Sequence, residues 1–177
     1  FLFGCYSAGT PRWDEYGRRH FRDEGRVIAS EPFVAALPQA MLALKDRGAL
    51  AVIGHVERAW NMSFMAEMND RPEEMEIRRR EHVDVFACAL ERLVKGYPVG
   101  AAMDVFNVRY AAVATELISM YDRIAADTPS RADIYRLAEL WTTTYDARGY
   151  MVIGDPAVRL MGLDDLSDDS AYESGDL

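Results

Sequence analysis

Hydrophobic and polar positions alternate between two periods along this chain. The opening "FLFG" is continuously apolar and reads as the end of a buried strand. Residues 6–31 are rich in Gly, Arg and aromatic side chains without steady periodicity, which predicts a long loop with a short helix. "PFVAALPQAMLALKDR" (32–47) predicts a helix, with Pro32 in its first turn, a kink at Pro38 and a stop at Gly48. "ALAVIGHV" follows, a short β-branched run that suits a strand buried on both faces, as in a parallel sheet.

The second half turns to the helical period. Residues 73–95 place Val83, Phe86, Ala87, Leu90 and Val94 on one face, and Gly96 ends the run. From Pro98, the positions Val99, Met103, Phe106, Tyr110, Val113, Leu117, Met120 and Ile124 step by threes and fours. That spacing predicts a helix of about 27 residues, roughly 40 Å long. A third helix, 131–147, is expected to bury Ile134, Leu137, Trp141 and Tyr145, and "YMVIGDPAVRL" reads as a last strand entering a turn formed by Asp155 and Pro156. The pattern is therefore α/β, with three long helices before the final strand.

Composition narrows the picture. The 177 residues carry a formal charge of −9, and the tail "DDLSDDSAYESGDL" contributes six acidic residues and no basic one, leaving about −3 on the rest. Residues 164–177 are thus expected to be a disordered acidic tail, and 1–163 the folded unit. That balance offers nothing to nucleic acid. No apolar run approaches the roughly 18 residues that span a bilayer, and two cysteines make no disulfide framework, so a reducing, cytoplasmic setting is expected. The strand reading at Phe1 suggests a piece of something longer.

The candidate chemistry lies at predicted strand ends. Open parallel α/β sheets place their ligand sites there, and both Cys5 and His55-Val56-Glu57 sit at such ends. Cys5 is the candidate nucleophile. Gly4, Ser7, Ala8 and Gly9 are small enough for a substrate backbone to approach, and the Cys5 amide is placed to donate to an oxyanion. Cys88 falls within an amphipathic helix and reads as core. His55 reads as a pocket residue, with the role of base as its alternative; His20 and His82 fall in charged surroundings and are expected on the surface. The scattered His and Cys spacing fits no zinc site, so neither a metal nor another cofactor is expected. A nucleotide-binding domain is disfavoured because no Gly-rich phosphate loop follows a strand.

Three segments in order, "FGCYSAG", "GALAVIGHVERAW" and "VIGDPAVRL", the last after a helix introduced by "LVKGYPVGAAM", resemble the C-terminal half of the caspase–gingipain–separase superfamily of cysteine peptidases. They are closest to the bacterial caspase-like CHAT domains and the gingipain type. The resemblance covers about residues 1–160. It implies a partial caspase-like doubly wound sheet, a polypeptide substrate, and a Cys–His dyad with Cys5 as nucleophile. The family's histidine lies in a His-Gly turn upstream of the cysteine, so it is expected from the N-terminal part of the same protein, outside this sequence. By the same resemblance, the segment after the second strand lines the primary specificity pocket. There Glu57 would favour Lys or Arg unless Arg58 pairs with it, and Trp60 would form a wall. A non-catalytic caspase-like scaffold for protein interaction is the alternative.

Overall fold

A computed structural model describes residues 1–16, 26–60 and 72–160, with 72–82 described by their helical backbone alone. The expected positions of His20, the His82 side chain and the acidic tail lie outside the described residues. In chain order the elements are β1 (Gly9–Thr10), β2 (Phe33–Val34), α1 (Ala36–Ala43), β3 (Ala51–His55), α2 (Pro72–Val94), α3 (Val99–Ala126), α4 (Arg131–Ala147) and β4 (Tyr150–Gly154).

The mixed helix-and-strand character stands, but the described strands form two antiparallel pairs rather than a doubly wound parallel sheet. β1 pairs with β2, and β3 pairs with β4 from Ala51↔Gly154 to His55↔Tyr150. What was expected as the first strand instead runs beside β3 as irregular chain. Leu2 N donates to Ile53 O at 2.8 Å and Tyr6 N to Glu57 O at 2.8 Å, so the two segments point the same way. A regular ladder fails because Ser7 intrudes: its Oγ accepts from His55 N at 2.9 Å and donates to Leu2 O at 3.0 Å. Gly54 permits this closeness, since a Cβ there would stand 2.9 Å from Ala8 N.

β3 is buried from Val52 to His55, as its apolar run suggested, whereas Met151 of β4 is exposed. Ile53 and Tyr150 pack with Ala89 of α2 and with Val99, Met103 and Phe106 of α3. α1 also packs against β3, and its Leu42 side chain lies near Gly154. Helix α1 is shorter than expected and begins after Pro32. Pro38 becomes its third residue, in the first turn, where a missing N–H leaves no bond unmade; no mid-helix kink arises.

The three long helices occupy the expected stretches, with corrections to their buried faces. α2 turns Val85, Phe86, Ala89 and Leu93 inward, while Val83, Leu90 and Val94 are exposed. Phe86 follows the aromatic cluster of Phe1, Phe106 and Tyr150 and so rotates the helix away from the simple stripe. α3 buries Val99, Met103, Phe106, Leu117 and Met120, leaving Tyr110 largely exposed. Its far half forms a second cluster with Leu140 of α4, flanked by Val113, Ile124, Leu137 and Trp141. In α4, Ile134 is exposed and the buried run is Leu140 and Thr142–Ala147. A capping box at Ser130 and Asp133 starts this helix, with Asp133 N donating to Ser130 Oγ at 3.2 Å and Ser130 N to Asp133 Oδ2 at 2.9 Å. None of the described helices is long and apolar enough to cross a membrane.

Candidate functional site

Cys5 sits on a tight turn. Ser7 N donates to Gly4 O at 3.3 Å, and Tyr6 between them has φ +56°, a left-handed conformation costly for a residue with a bulky side chain. The turn points the thiol outward: Cys5 is exposed, and its S–H donates to Ala59 O at 3.6 Å. Cys5 therefore lies against the segment leaving β3, the neighbourhood that contains Glu57 and Trp60. Cys88, expected in the core, is half-buried and lines a cavity of about 540 Å³ between α2 and α3.

The small residues near Cys5 have different reasons for being small. Around Gly4 the space is open, the nearest atom to an added Cβ being Ser7 Cβ at 4.0 Å. Gly9 is buried in β1, where a Cβ would meet Phe33 O at 2.5 Å, so it serves the β1–β2 pairing and not a substrate backbone. The Ser7 hydroxyl is likewise committed to Leu2 and His55.

His55 is fully buried rather than facing a groove. Its Nδ1 accepts from Glu57 N at 3.1 Å, which places the ring proton on Nε2, and Nε2 donates to the Asp146 carbonyl at 3.0 Å. Both nitrogens are engaged, so the imidazole is a strut between β3 and α4, which corrects its alternative reading as the base for Cys5. Gly149 makes room for the ring: a Cβ there would fall 2.2 Å from His55 Nε2 and Cε1.

Asp146 completes this interior layer. It is fully buried; Oδ1 accepts from Trp60 N at 2.9 Å and Oδ2 from Arg109 Nη1 at 3.4 Å. Arg109, 6% exposed, projects from the middle of α3. Burial draws its guanidinium below the ordinary arginine value, while Asp146 pulls the other way. Nothing in the local sequence marks these residues, because a lone charge on an amphipathic helix reads as solvated surface.

Around Glu57 the structure gathers Arg58 and Trp60 with Asp14, Tyr16 and Arg148, which the pattern did not single out. Glu57 is 8% exposed, and among the described residues its Oε2 has no hydrogen-bond partner. Burial pushes its carboxyl above the usual carboxylate range, opposed chiefly by the positive charge of Arg148. Arg58 is not spent on Glu57. It forms an ion pair with Asp14, which is 4% exposed, and its guanidinium lies 5.6 Å from the Tyr16 ring centroid. Arg148 stands 4.2 Å over the Tyr145 ring. Trp60 is half-buried in the same aromatic group, 4.9 Å from Tyr16, which also meets Trp141 at 4.7 Å.

No known family, curated protein or solved structure matches this chain.

The chemistry must therefore be read from the residues. Among those described, no group of three or more His, Cys, Asp and Glu side chains is arranged to hold a metal ion. Two groups here carry chemistry: the exposed Cys5 thiol, and the buried Glu57 carboxylate, whose Oε2 has no partner among the described residues. The sulfur can attack an electrophilic carbon, and the carboxylate can hold a cation out of water.

Proposed function

We propose that this chain is the C-terminal portion of a caspase-like cysteine endopeptidase with Cys5 as its nucleophile. The observation that carries the reading is the exposed Cys5 thiol on its left-handed turn, a few atoms from the segment that holds Glu57. A histidine from the part of the protein outside this sequence takes the thiol proton. The thiolate attacks the scissile carbonyl carbon, the amine leaves carrying that proton, and water then hydrolyses the thioester. Gly4, with open space about it, and the Cys5 amide face the substrate backbone. Glu57 receives a Lys or Arg side chain preceding the cleaved bond, and Trp60 borders it. The support for that preference is the buried, unpartnered Glu57 oxygen together with the commitment of Arg58 to Asp14.

A second reading, a caspase-like scaffold without catalysis, draws on His55 giving Cys5 no base from within the described residues, since both its ring nitrogens are engaged. The two readings separate in the full-length protein. The peptidase cleaves peptide libraries after basic residues, loses this with Cys5→Ala, and reacts with iodoacetamide well below pH 8. A slow thiol with no cleavage supports the scaffold, and absence of a His-Gly strand ahead of Phe1 in the native reading frame overturns the dyad.

A further inference from the structure

Tyr6 follows the candidate nucleophile in a backbone conformation that its own side chain disfavours. The turn from Gly4 to Ser7 is closed by Ser7 N donating to Gly4 O at 3.3 Å, and of its residues only Tyr6 has a positive φ, +56°. Positive φ at the third residue alone is the mark of a type II turn, and that position is normally Gly or Asn. A bulky residue there is disfavoured roughly tenfold. A tyrosine kept in such a place points to its side chain as the compensation.

That side chain reaches an anchored cation. The Tyr6 hydroxyl oxygen accepts a hydrogen bond from the Arg58 guanidinium. Arg58 is in turn ion-paired with Asp14, which is 4% exposed, and lies 5.6 Å from the Tyr16 ring centroid. The planar fork of a guanidinium serves a carboxylate and a phenol at once, so the turn gains a buried footing. The chain after β3 holds the turn as well: Tyr6 N donates to Glu57 O at 2.8 Å, and the Cys5 S–H to Ala59 O at 3.6 Å.

We propose that Arg58 is a positioning residue for Cys5: anchored on Asp14, it grips the Tyr6 hydroxyl and keeps the turn that carries the thiol in its left-handed form. The inference rests on the reading of Cys5 as the nucleophile and adds the residues that aim it. Without the grip, the nearest relief of strain is a type I turn, reached by rotating the peptide plane between Cys5 and Tyr6. That rotation takes Tyr6 N away from Glu57 O and re-aims the residue that carries the thiol. A nucleophile displaced by about an ångström loses much of its rate. Arg58 thus acts on Cys5 through one phenol, and its effect vanishes where residue 6 has no strain to hold.

The test is amide hydrogen exchange at residue 6 in the folded, full-length protein, read beside peptide cleavage. Tyr6→Phe and Arg58→Met are each expected to lower the protection factor of that amide about tenfold, and kcat by a similar factor with KM unchanged. Tyr6→Gly takes positive φ without strain, so its protection should stay near the parent's, and Arg58→Met added to it should change nothing further. A merely structural ion pair would not lose its effect in this way. Should Arg58→Met fail to fold, Tyr6→Phe leaves the pair with Asp14 whole and carries the same expectation. Protection and kcat untouched by Tyr6→Phe, or an Arg58→Met effect of equal size with and without Tyr6→Gly, overturns the proposal. A parent protein that cleaves no peptide overturns the peptidase reading alone, and the exchange pattern then decides whether Arg58 holds the turn.

Discussion

Replacing Asp146 by Asn removes one negative charge from the interior and breaks the ion pair that Asp146 makes with the Arg109 guanidinium, 6% exposed. The Asn side chain retains one oxygen, enough for Trp60 N but not for Arg109 as well, and its NH₂ then faces another donor. Breaking a buried pair from one side costs about 3–5 kcal/mol, because the remaining charge stays out of water. Against a total stability of about 5–15 kcal/mol for a domain, that is about a fifth or more. At about 2–4 °C per kcal/mol for a chain of this size, melting should fall by about 6–20 °C. Urea unfolding followed by tryptophan fluorescence measures it, since Trp60 and Trp141 both lie beside the Asp146 layer. The cost lies in the broken buried ion pair, so Asp146→Leu combined with Arg109→Met should recover most of the loss. The shortfall is the Trp60 N–H bond, worth about 1 kcal/mol. A single Asn variant within 1 kcal/mol of the parent, or a double variant no more stable than the single, would refute the reasoning.

Two further outcomes follow from the same region. Gly149→Ala drives a methyl into the His55 ring, where the Cβ stands only 2.2 Å from Nε2 and Cε1; it should cost about 3 kcal/mol or more, and His55→Ala in the same chain should restore part of that in a denaturant titration. Glu57 has a carboxyl raised by burial, so between its unfolded value and this raised value the native state holds the extra proton. Stability therefore falls as pH rises through that window, Glu57→Gln flattens the fall, and a parent protein with flat stability there would contradict the assignment.

What the sequence made legible follows from the range of the forces involved. The stripe Val99, Met103, Phe106, Leu117, Met120 is a local regularity, because one helix turn repeats every few residues, and the structure buries those side chains together. Tyr110 broke the stripe because the third dimension places Arg109 inward instead, where a distant Asp146 receives it. β3 and β4 were legible as apolar runs, but not their antiparallel pairing, which depends on contact between residues about a hundred positions apart. The first segment misled for a nearer reason: a serine side chain substitutes for a backbone partner, which hydropathy does not register. At the site, Cys5 and Glu57 were visible as chemistry at strand ends. Asp14 was not, since a single acid in a loop looks solvated until Arg58 meets it across the fold.

The helix α3 has one further consequence. Its 28 residues serve two apolar clusters in succession, one under the sheet and one in the hairpin with α4, and the charged layer of Arg109 and Asp146 lies between them. Apolar clusters unfold as units, whereas a layer of directional polar bonds either holds in its geometry or lets go. Arg109 thus stands as a seam in a beam, with one apolar cluster on either side of it. Because Asp146 also holds Trp60 N, that seam is fastened to the loop beside Cys5. One carboxylate thus ties the hairpin of α3 and α4 to the loop that the Cys5 thiol touches.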